Sequence, residues 1–298
     1  MYSVEYINCK VCGSDKPKFL GIRGNKEYAG AADKICREEH IVTNVVRCRK
    51  CGFVYTNPLI KSKIDCYNDP DNYFSSSNLD PEVLFGFILD LIEKKVPKGK
   101  ILDVGCGKGE FLSLARKRGW QIYGLEPSSN FAKAASERCG ININSVSLKE
   151  AAYPDNFFDV VALNMALEHV DEPQDFLKEI SRVLRKKGLL FVEVPNTDSL
   201  MLKIASLYFK IKGRNWSPLL SPLHHPFHSY GYNPRSIKFL LDSRNFKIDK
   251  LLIRDSALRG FRTDSGGQCL ENIFRNFVTK LGGFFGKGDV LMVIAKKE

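Results

Sequence analysis

The chain has 298 residues, 44% of them apolar, enough for a sizeable core without disulfide support. It contains no run of about 18 apolar residues, which excludes a membrane-spanning helix, and Met1-Tyr2-Ser3-Val4-Glu5 lacks the basic flank and apolar stretch of a signal peptide. The formal net charge of +11 is uneven: residues 1–80 carry +2, residues 81–196 are neutral, and residues 197–298 carry +9. That surplus points to an anionic partner for the last hundred residues (a phosphorylated small molecule, a nucleic acid or a membrane surface) or to a merely soluble basic face.

A reducing cytoplasm is the expected compartment, so the nine cysteines read as metal ligands or buried thiols. Cys9-x-x-Cys12 is followed 36 residues later by Cys48-x-x-Cys51, and each pair is followed by a glycine. Two such knuckles place four thiolates around Zn²⁺, with glycine letting amides turn back toward sulfur. Four thiolates leave no open position, so the zinc is expected to be structural. A redox pair or four unrelated thiols are the alternatives. Cys36 has no mate. Ile41–Arg47 alternates as a strand does, and Phe53–Pro58 leaves the module extended. Residues 61–80 are polar and turn-rich, a linker punctuated by Tyr67, Tyr73 and Phe74.

Pro81 opens a helix with apolar residues at helical spacing from Val83 to Ile92. Ile101-Leu102-Asp103-Val104 then reads as a buried strand. Gly105, Cys106, Gly107, Lys108 and Gly109 form a glycine-rich turn into a helix over 109–118. Glycine admits positive φ and a close ligand, and helix-start amides face whatever sits above the strand end. The spacing is G-x-G-x-G, not the G-x-G-x-x-G of a dinucleotide site. A second strand, Gln121–Leu125, ends in Glu126, placed to accept from two ribose hydroxyls. Together these residues resemble the first two motifs of class I S-adenosylmethionine-dependent methyltransferases. An ordinary tight strand–helix turn with a solvated Glu126 is the bland alternative.

Ser128 or Ser129 can cap a helix near 130–139. A short strand near Ile141–Ser145, a buried strand up to Leu163, a helix over Pro173–Leu184 and a strand over Leu189–Asn196 follow. Strands alternating with helices predict an α/β, doubly wound, mostly parallel sheet. After the fourth strand comes Asn164-Met165-Ala166-Leu167-Glu168-His169-Val170-Asp171-Glu172-Pro173. This stretch is similar to the methyltransferase family with a Glu-His-Val signature, which includes quinone O-methyltransferases and enzymes of sugar and surface-glycan biosynthesis. Glu193-Val-Pro-Asn196, Trp216, His228 to Ile237 and the double-Cys module also fit that resemblance.

The resemblance implies a Rossmann-like seven-stranded sheet, a zinc-ribbon-like module over 1–60, a linker over 61–80 and a methyltransferase domain over 81–298. Within that domain, 197–235 is a helical lid at the acceptor site and 254–288 a basic helical insertion. It further implies a site for S-adenosylmethionine. Gly105, Cys106, Gly107 and Gly109 lie along the methionine part, Asp103 on the amino-group side, and Glu126 at the ribose. Pro127, Ser147 and Leu148 lie near the adenine, and Asn164 beside the methionine part.

Methyl transfer to a hydroxyl gains from a base, which suits histidine. His228, His225 and His169 are the candidates, with His224 beside them; hydrogen-bonded loop histidines are the alternative. Ser199–Trp216 reads as an amphipathic helix lidding the site, or one touching a membrane face. Residues from Leu270 to Leu281 look like another helix before a final strand, Asp289–Ala295, expected antiparallel at the sheet edge.

A small-molecule methyltransferase acting on a sugar, nucleotide-sugar or glycan fits these features best, the cationic last third matching a phosphate handle. O-methylation is preferred and C-methylation stays open. A nucleic-acid methyltransferase is a rival, opposed by the nearly neutral Cys module. A non-catalytic scaffold is the third reading. Composition decides nothing about oligomeric state.

Overall fold

The computed structural model describes residues 2–24, 42–62, 81–222, 228–255 and 269–298. His224, His225, Cys36 and most of the 61–80 linker lie outside the described residues.

The central sheet is built from β6 (Lys100–Val104), β7 (Gln121–Leu125), β8 (Phe158–Asn164), β9 (Leu184–Pro195), β11 (Phe246–Arg254) and β12 (Val290–Lys297). Its order is β7-β6-β8-β9-β12-β11. The first four strands are mutually parallel, and β12 runs antiparallel to both β9 and β11. β8 from Val160 and β9 from Leu189 onward are mostly apolar and buried because both faces of the sheet are covered. Neighbouring residues in a strand serve opposite faces. Ile101, Val160 and Phe191 pack under α1 (Pro81–Glu93), α2 (Glu110–Lys117) and α3 (Ser129–Cys139). Leu102, Val161 and Val192 pack with α4 (Pro173–Val183) and α6 (Pro234–Asp242) on the other side. Proline opens both α4 and α6, where its missing N–H costs nothing, and Asn233 and Ser236 form a capping box on α6.

Two expectations change. Among the described residues the sheet has six strands, not seven: the segment near Ile141–Ser145 makes only a single parallel bridge, Leu125 to Asn144. Its polar sequence, with Asn142 and Asn144 hydrogen-bonding each other, offers no apolar face to hold a longer ladder. The last strand is also not at the edge. β12 is inserted between β9 and β11, and β11, whose lysines obscure its alternation, forms the edge instead.

The N-terminal part forms its own sheet from β2 (Pro17–Arg23), β3 (Thr43–Cys48) and β4 (Val54–Asn57), beside a two-stranded pairing of β1 (Tyr2–Glu5) with β5 (Leu59–Ser62). A strand from far along the chain, β10 (Tyr230–Gly231), completes that first sheet by pairing with β4. Ile22 is clamped to the same distant segment: its N–H donates to Asn215 O at 2.7 Å, and its carbonyl accepts from Ser217 N at 3.1 Å. The Arg23 guanidinium covers the Trp216 ring at 4.4 Å. Phe53 stacks on Tyr55 and Tyr230 and meets Tyr232 at a tilt, and these rings fill the join. No described helix is long and apolar enough to cross a membrane.

Candidate active site

β6 delivers Asp103 to the carboxyl edge of the sheet, where the chain turns through Gly105, Gly107 and Gly109, all at positive φ. Gly109 is the N-cap of α2, and a Cβ there would lie 2.8 Å from Cys139 Sγ on α3. Gly105 and Cys106 both donate to Leu125 O, at 2.8 and 3.1 Å, which ties the loop to the end of β7. The Cys106 side chain points inward below Gly124, and burial pushes its thiol up, so this residue faces the loop only through its backbone.

Glu126 lies directly across the loop. Its Oε2 accepts from Gly107 N at 2.9 Å and its Oε1 from Ser128 N at 3.0 Å. Burial raises its carboxyl above the ordinary value, and those two amides pull it back down. Each carboxylate oxygen keeps a second lone pair for a further donor. Ser128 is the N-cap of α3, but its side chain makes no cap hydrogen bond; its amide serves Glu126.

On the other side, Asn164 at the end of β8 donates Nδ2 to Asp103 Oδ1 at 3.0 Å. Asp103 is fully buried, and desolvation pushes its carboxyl up to about 7 against the pull of Asn164. Asn164 Oδ1 is buried and has no hydrogen-bond partner among the described residues. An acceptor stranded in this way beside a carboxyl suits a cationic amino group. Pro127 is exposed beyond Glu126, whereas Leu148 is buried in the core. Ser147 is turned away, accepting from Glu150 N and binding Glu150 Oε2 through its own amide and hydroxyl.

Met165, the next residue after Asn164, sits at φ 53, a left-handed conformation costly for a side chain of its size. It swings the following 3-10 turn, Leu167–His169, against β9 and β10. The turn buries Glu168 and leaves His169 exposed. His228, two residues before β10, comes to this turn from 60 residues away: its Nε2 is 3.8 Å from Glu168 Oε1, and its ring centroid is 4.9 Å from that of His169. Its backbone is pinned to Ser221, and the next residue, Ser229, accepts from Thr56 N of β4 at 3.1 Å. Tyr232 is buried close by, its phenol pushed well up by burial and by the Glu168 carboxylate. Of the histidine candidates, His169 and His228 are thus brought together, while His225 lies outside the described residues.

Sequence reasoning missed Glu168 as a partner. Its pairing with His228 exists only in three dimensions.

The four cysteines converge in the N-terminal part, whose knuckle meets the segment after the 3-10 turn through Lys10 with Glu172 and through Gln174, which donates to Val11 O. Cys9 and Cys12 occupy the turn before β2, and Cys48 and Cys51 the turn after β3. Gly13 and Gly52 at positive φ return their amides to the carbonyls of Cys9 and Cys48, at 2.8 and 3.0 Å. The sulfurs of Cys9 and Cys51 are 3.5 Å apart and those of Cys12 and Cys48 3.4 Å, with all four within 4.8 Å of one another. Tetrahedral zinc with bonds of about 2.3 Å sets sulfurs about 3.8 Å apart. The donor set therefore fits zinc. A surface groove of about 620 Å³ runs between this knuckle and Glu172, Gln174 and Phe239, and none of the cofactor candidates lines it.

The sequence profile of the methyltransferase domain matches residues 78–251, more than half of the chain. The chain belongs to the methyltransferase-domain family. It is similar to a probable S-adenosylmethionine-dependent methyltransferase of Mycolicibacterium smegmatis, 26% identical over 57% of this chain and 62% of the relative. It is also similar to the demethylmenaquinone methyltransferase of Thermotoga maritima, 29% identical over 50% of this chain and 66% of that protein. A third relative is the ubiquinone biosynthesis O-methyltransferase of Bradyrhizobium diazoefficiens, 28% identical over 49% and 57%. The chain thus spans about three fifths of the length of these curated relatives.

Among solved structures, a SAM-dependent methyltransferase from Archaeoglobus fulgidus shares the fold with a TM-score of 0.51 at 21% identity, over 73% of this chain and 95% of that one. So does the geranyl diphosphate C-methyltransferase of Streptomyces coelicolor A3(2), solved with Mg²⁺, geranyl-S-thiolodiphosphate and S-adenosyl-L-homocysteine. Its TM-score is 0.51 at 14% identity, over 73% and 76%. The fold is that of Rossmann-like S-adenosylmethionine-dependent methyltransferases.

Proposed function

We propose that this chain transfers the methyl group of S-adenosylmethionine to a hydroxyl of a small-molecule acceptor. One observation carries the reading. Two carboxylates flank a positive-φ glycine loop at the carboxyl edge of a parallel sheet, Glu126 held by loop amides and Asp103 by Asn164, whose Oδ1 awaits a donor. In this reading Glu126 accepts from the ribose hydroxyls, and Asp103 with Asn164 Oδ1 receives the amino group. The backbone of Gly105, Cys106, Gly107 and Gly109 lies along the methionine part, Pro127 flanks the adenine, and the 147–148 backbone borders its edge.

S-adenosylmethionine supplies a sulfonium methyl already activated for in-line displacement, so the protein's work is positioning and proton removal. His228 is the base. Glu168 beside Nε2 favours the tautomer with its proton there, leaving Nδ1 to take the hydroxyl proton. His169 stands exposed beside His228, and His225 lies three residues before His228 in the sequence. The acceptor is a sugar, nucleotide-sugar or glycan whose phosphate or other anionic group meets the +9 of residues 197–298. The name of the ubiquinone-biosynthesis relative supports oxygen as the methylated atom, while that of the demethylmenaquinone methyltransferase is silent on it. Zinc at Cys9, Cys12, Cys48 and Cys51 is structural, since four sulfurs close the coordination shell.

Transfer of labelled methyl from S-adenosylmethionine to a panel of nucleotide-sugars and glycans tests the reading. With an active acceptor, His228→Ala lowers kcat about 10²-fold or more, and Glu168→Gln lowers it less while shifting the pH–rate profile. S-adenosylhomocysteine affinity stays unchanged in both. Full kcat in His228→Ala would remove this residue from the chemistry.

A further inference from the structure

Among the described residues, seven of the thirteen exposed large apolar side chains lie on or just past one pair of helices; the other six are scattered at Val4, Tyr6, Phe19, Val42, Val83 and Val146. On α5 (Leu200–Ile211), Leu207, Tyr208 and Ile211 are exposed, Ile211 at 75%. On α7 (Cys269–Phe284), Phe277 and Phe284 are exposed, Phe284 at 84%, and Phe285 follows just past its end. The two helices pack together: Leu200 N donates to Lys287 O at 2.8 Å, and Gly282 allows α7 to approach Leu200. On α5 no side chain is fully buried. Its half-buried residues, Leu202 and Phe209 among them, face the protein, and Phe209 meets Trp216. The opposite side is left as an apolar surface.

The charge around that surface is predominantly positive. Lys203, Lys210, Lys212 and Arg214 are exposed along α5 and its exit, and Lys280 and Lys287 along the end of α7. From Ser199 to Leu241 the sequence contains no aspartate or glutamate, and neither does Phe277–Gly288. The half-buried Asp255 carboxylate packs against Gly283 of α7, so cations outnumber it on this face rather than excluding it. Protruding aromatic and aliphatic side chains bordered by a surplus of cations are what an interfacial helix presents to anionic headgroups and the acyl boundary beneath. A second copy of the chain fits less well, because a two-fold contact would bring the same six cations against one another. An isolated amphipathic helix lying on a membrane suffices here, as none described is able to span one.

We propose that the α5–α7 face docks on the surface of an anionic lipid bilayer. α5 leaves the sheet directly after β9, at the same carboxyl edge as the glycine loop, so docking sets that edge close to the membrane plane. The inference stands on exposure and charge and is independent of the methyl-transfer reading.

The test is co-sedimentation of the full chain with vesicles of phosphatidylglycerol and phosphatidylcholine in equal parts, against vesicles of phosphatidylcholine alone. The protein is expected to sediment with the anionic vesicles at least about tenfold more strongly, and less so as salt rises. Phe277→Ser combined with Phe284→Ser and Phe285→Ser lowers that binding by about tenfold or more, with thermal unfolding matching the parent. Lys210→Glu with Lys212→Glu, which keeps the apolar face, weakens anionic-vesicle binding as well. Absence of sedimentation with either vesicle overturns the proposal, and so does undiminished binding by the serine variant. It is equally overturned if light scattering shows a dimer that the serine variant dissolves while no vesicle binding is found.

Discussion

A carboxyl sealed inside the end of a β-strand is expensive, and Asp103 is such a group. With only Asn164 donating to it among the described residues, its pKa rises to about 7. Between about pH 4 and 7 the folded chain therefore holds a proton that the unfolded chain has lost, and this residue's share of stability falls as pH rises through that window. A cationic amino group placed beside Asp103 repays that cost by favouring the ionised form. Affinity for S-adenosylhomocysteine is thus expected to increase from about pH 6 to about pH 8, with a proton released on binding. Asp103→Asn should flatten the profile. Calorimetric titration in buffers of different ionisation enthalpy measures both the affinity and the proton release.

The glycine loop is the element that turns these residues into a site, and it tolerates little change. Gly109 caps α2 at φ 76, with Cys139 and Ala135 of α3 packed where a side chain would begin. Gly109→Ala adds left-handed strain to a clash, a destabilisation of about 2–3 kcal/mol readable by urea unfolding. This element was legible from sequence because a buried apolar strand, three alternating glycines and an acidic strand end are all local signals. β8, β9 and the knuckle turns were legible for the same reason. β10 was not: two residues long, it exists only because β4 waits for a partner. Nor was β11, whose period-two pattern is hidden by Lys247 and Lys250. The seventh strand was expected by resemblance and is reduced to one bridge by its own asparagines. Glu168 was in view as half of a signature, but its partner His228 arrives through tertiary pairing that no local pattern encodes.

At the scale of the whole molecule, the Cys module and the catalytic sheet share parts. β4 pairs with β10, Thr56 holds Ser229, and Thr197 at the end of β9 holds Tyr232 through both its amide and its hydroxyl. His228 is therefore stationed from both sides, one of them the Cys module. Chelation of zinc, or Cys51→Ser, should lower the melting temperature and reduce methyl transfer by about tenfold or more, while S-adenosylhomocysteine affinity changes much less. Metal analysis of the parent should give close to one zinc per chain. All of this rests on the cofactor site, so the most direct measurement is calorimetric titration of the zinc-loaded protein with S-adenosylhomocysteine, with Glu126→Ala as the control. The account predicts micromolar binding, weakened by tenfold or more in the variant because two charge-assisted hydrogen bonds of about 1.5–3 kcal/mol each are lost. Absence of binding by the folded parent, or equal binding by Glu126→Ala, would contradict it.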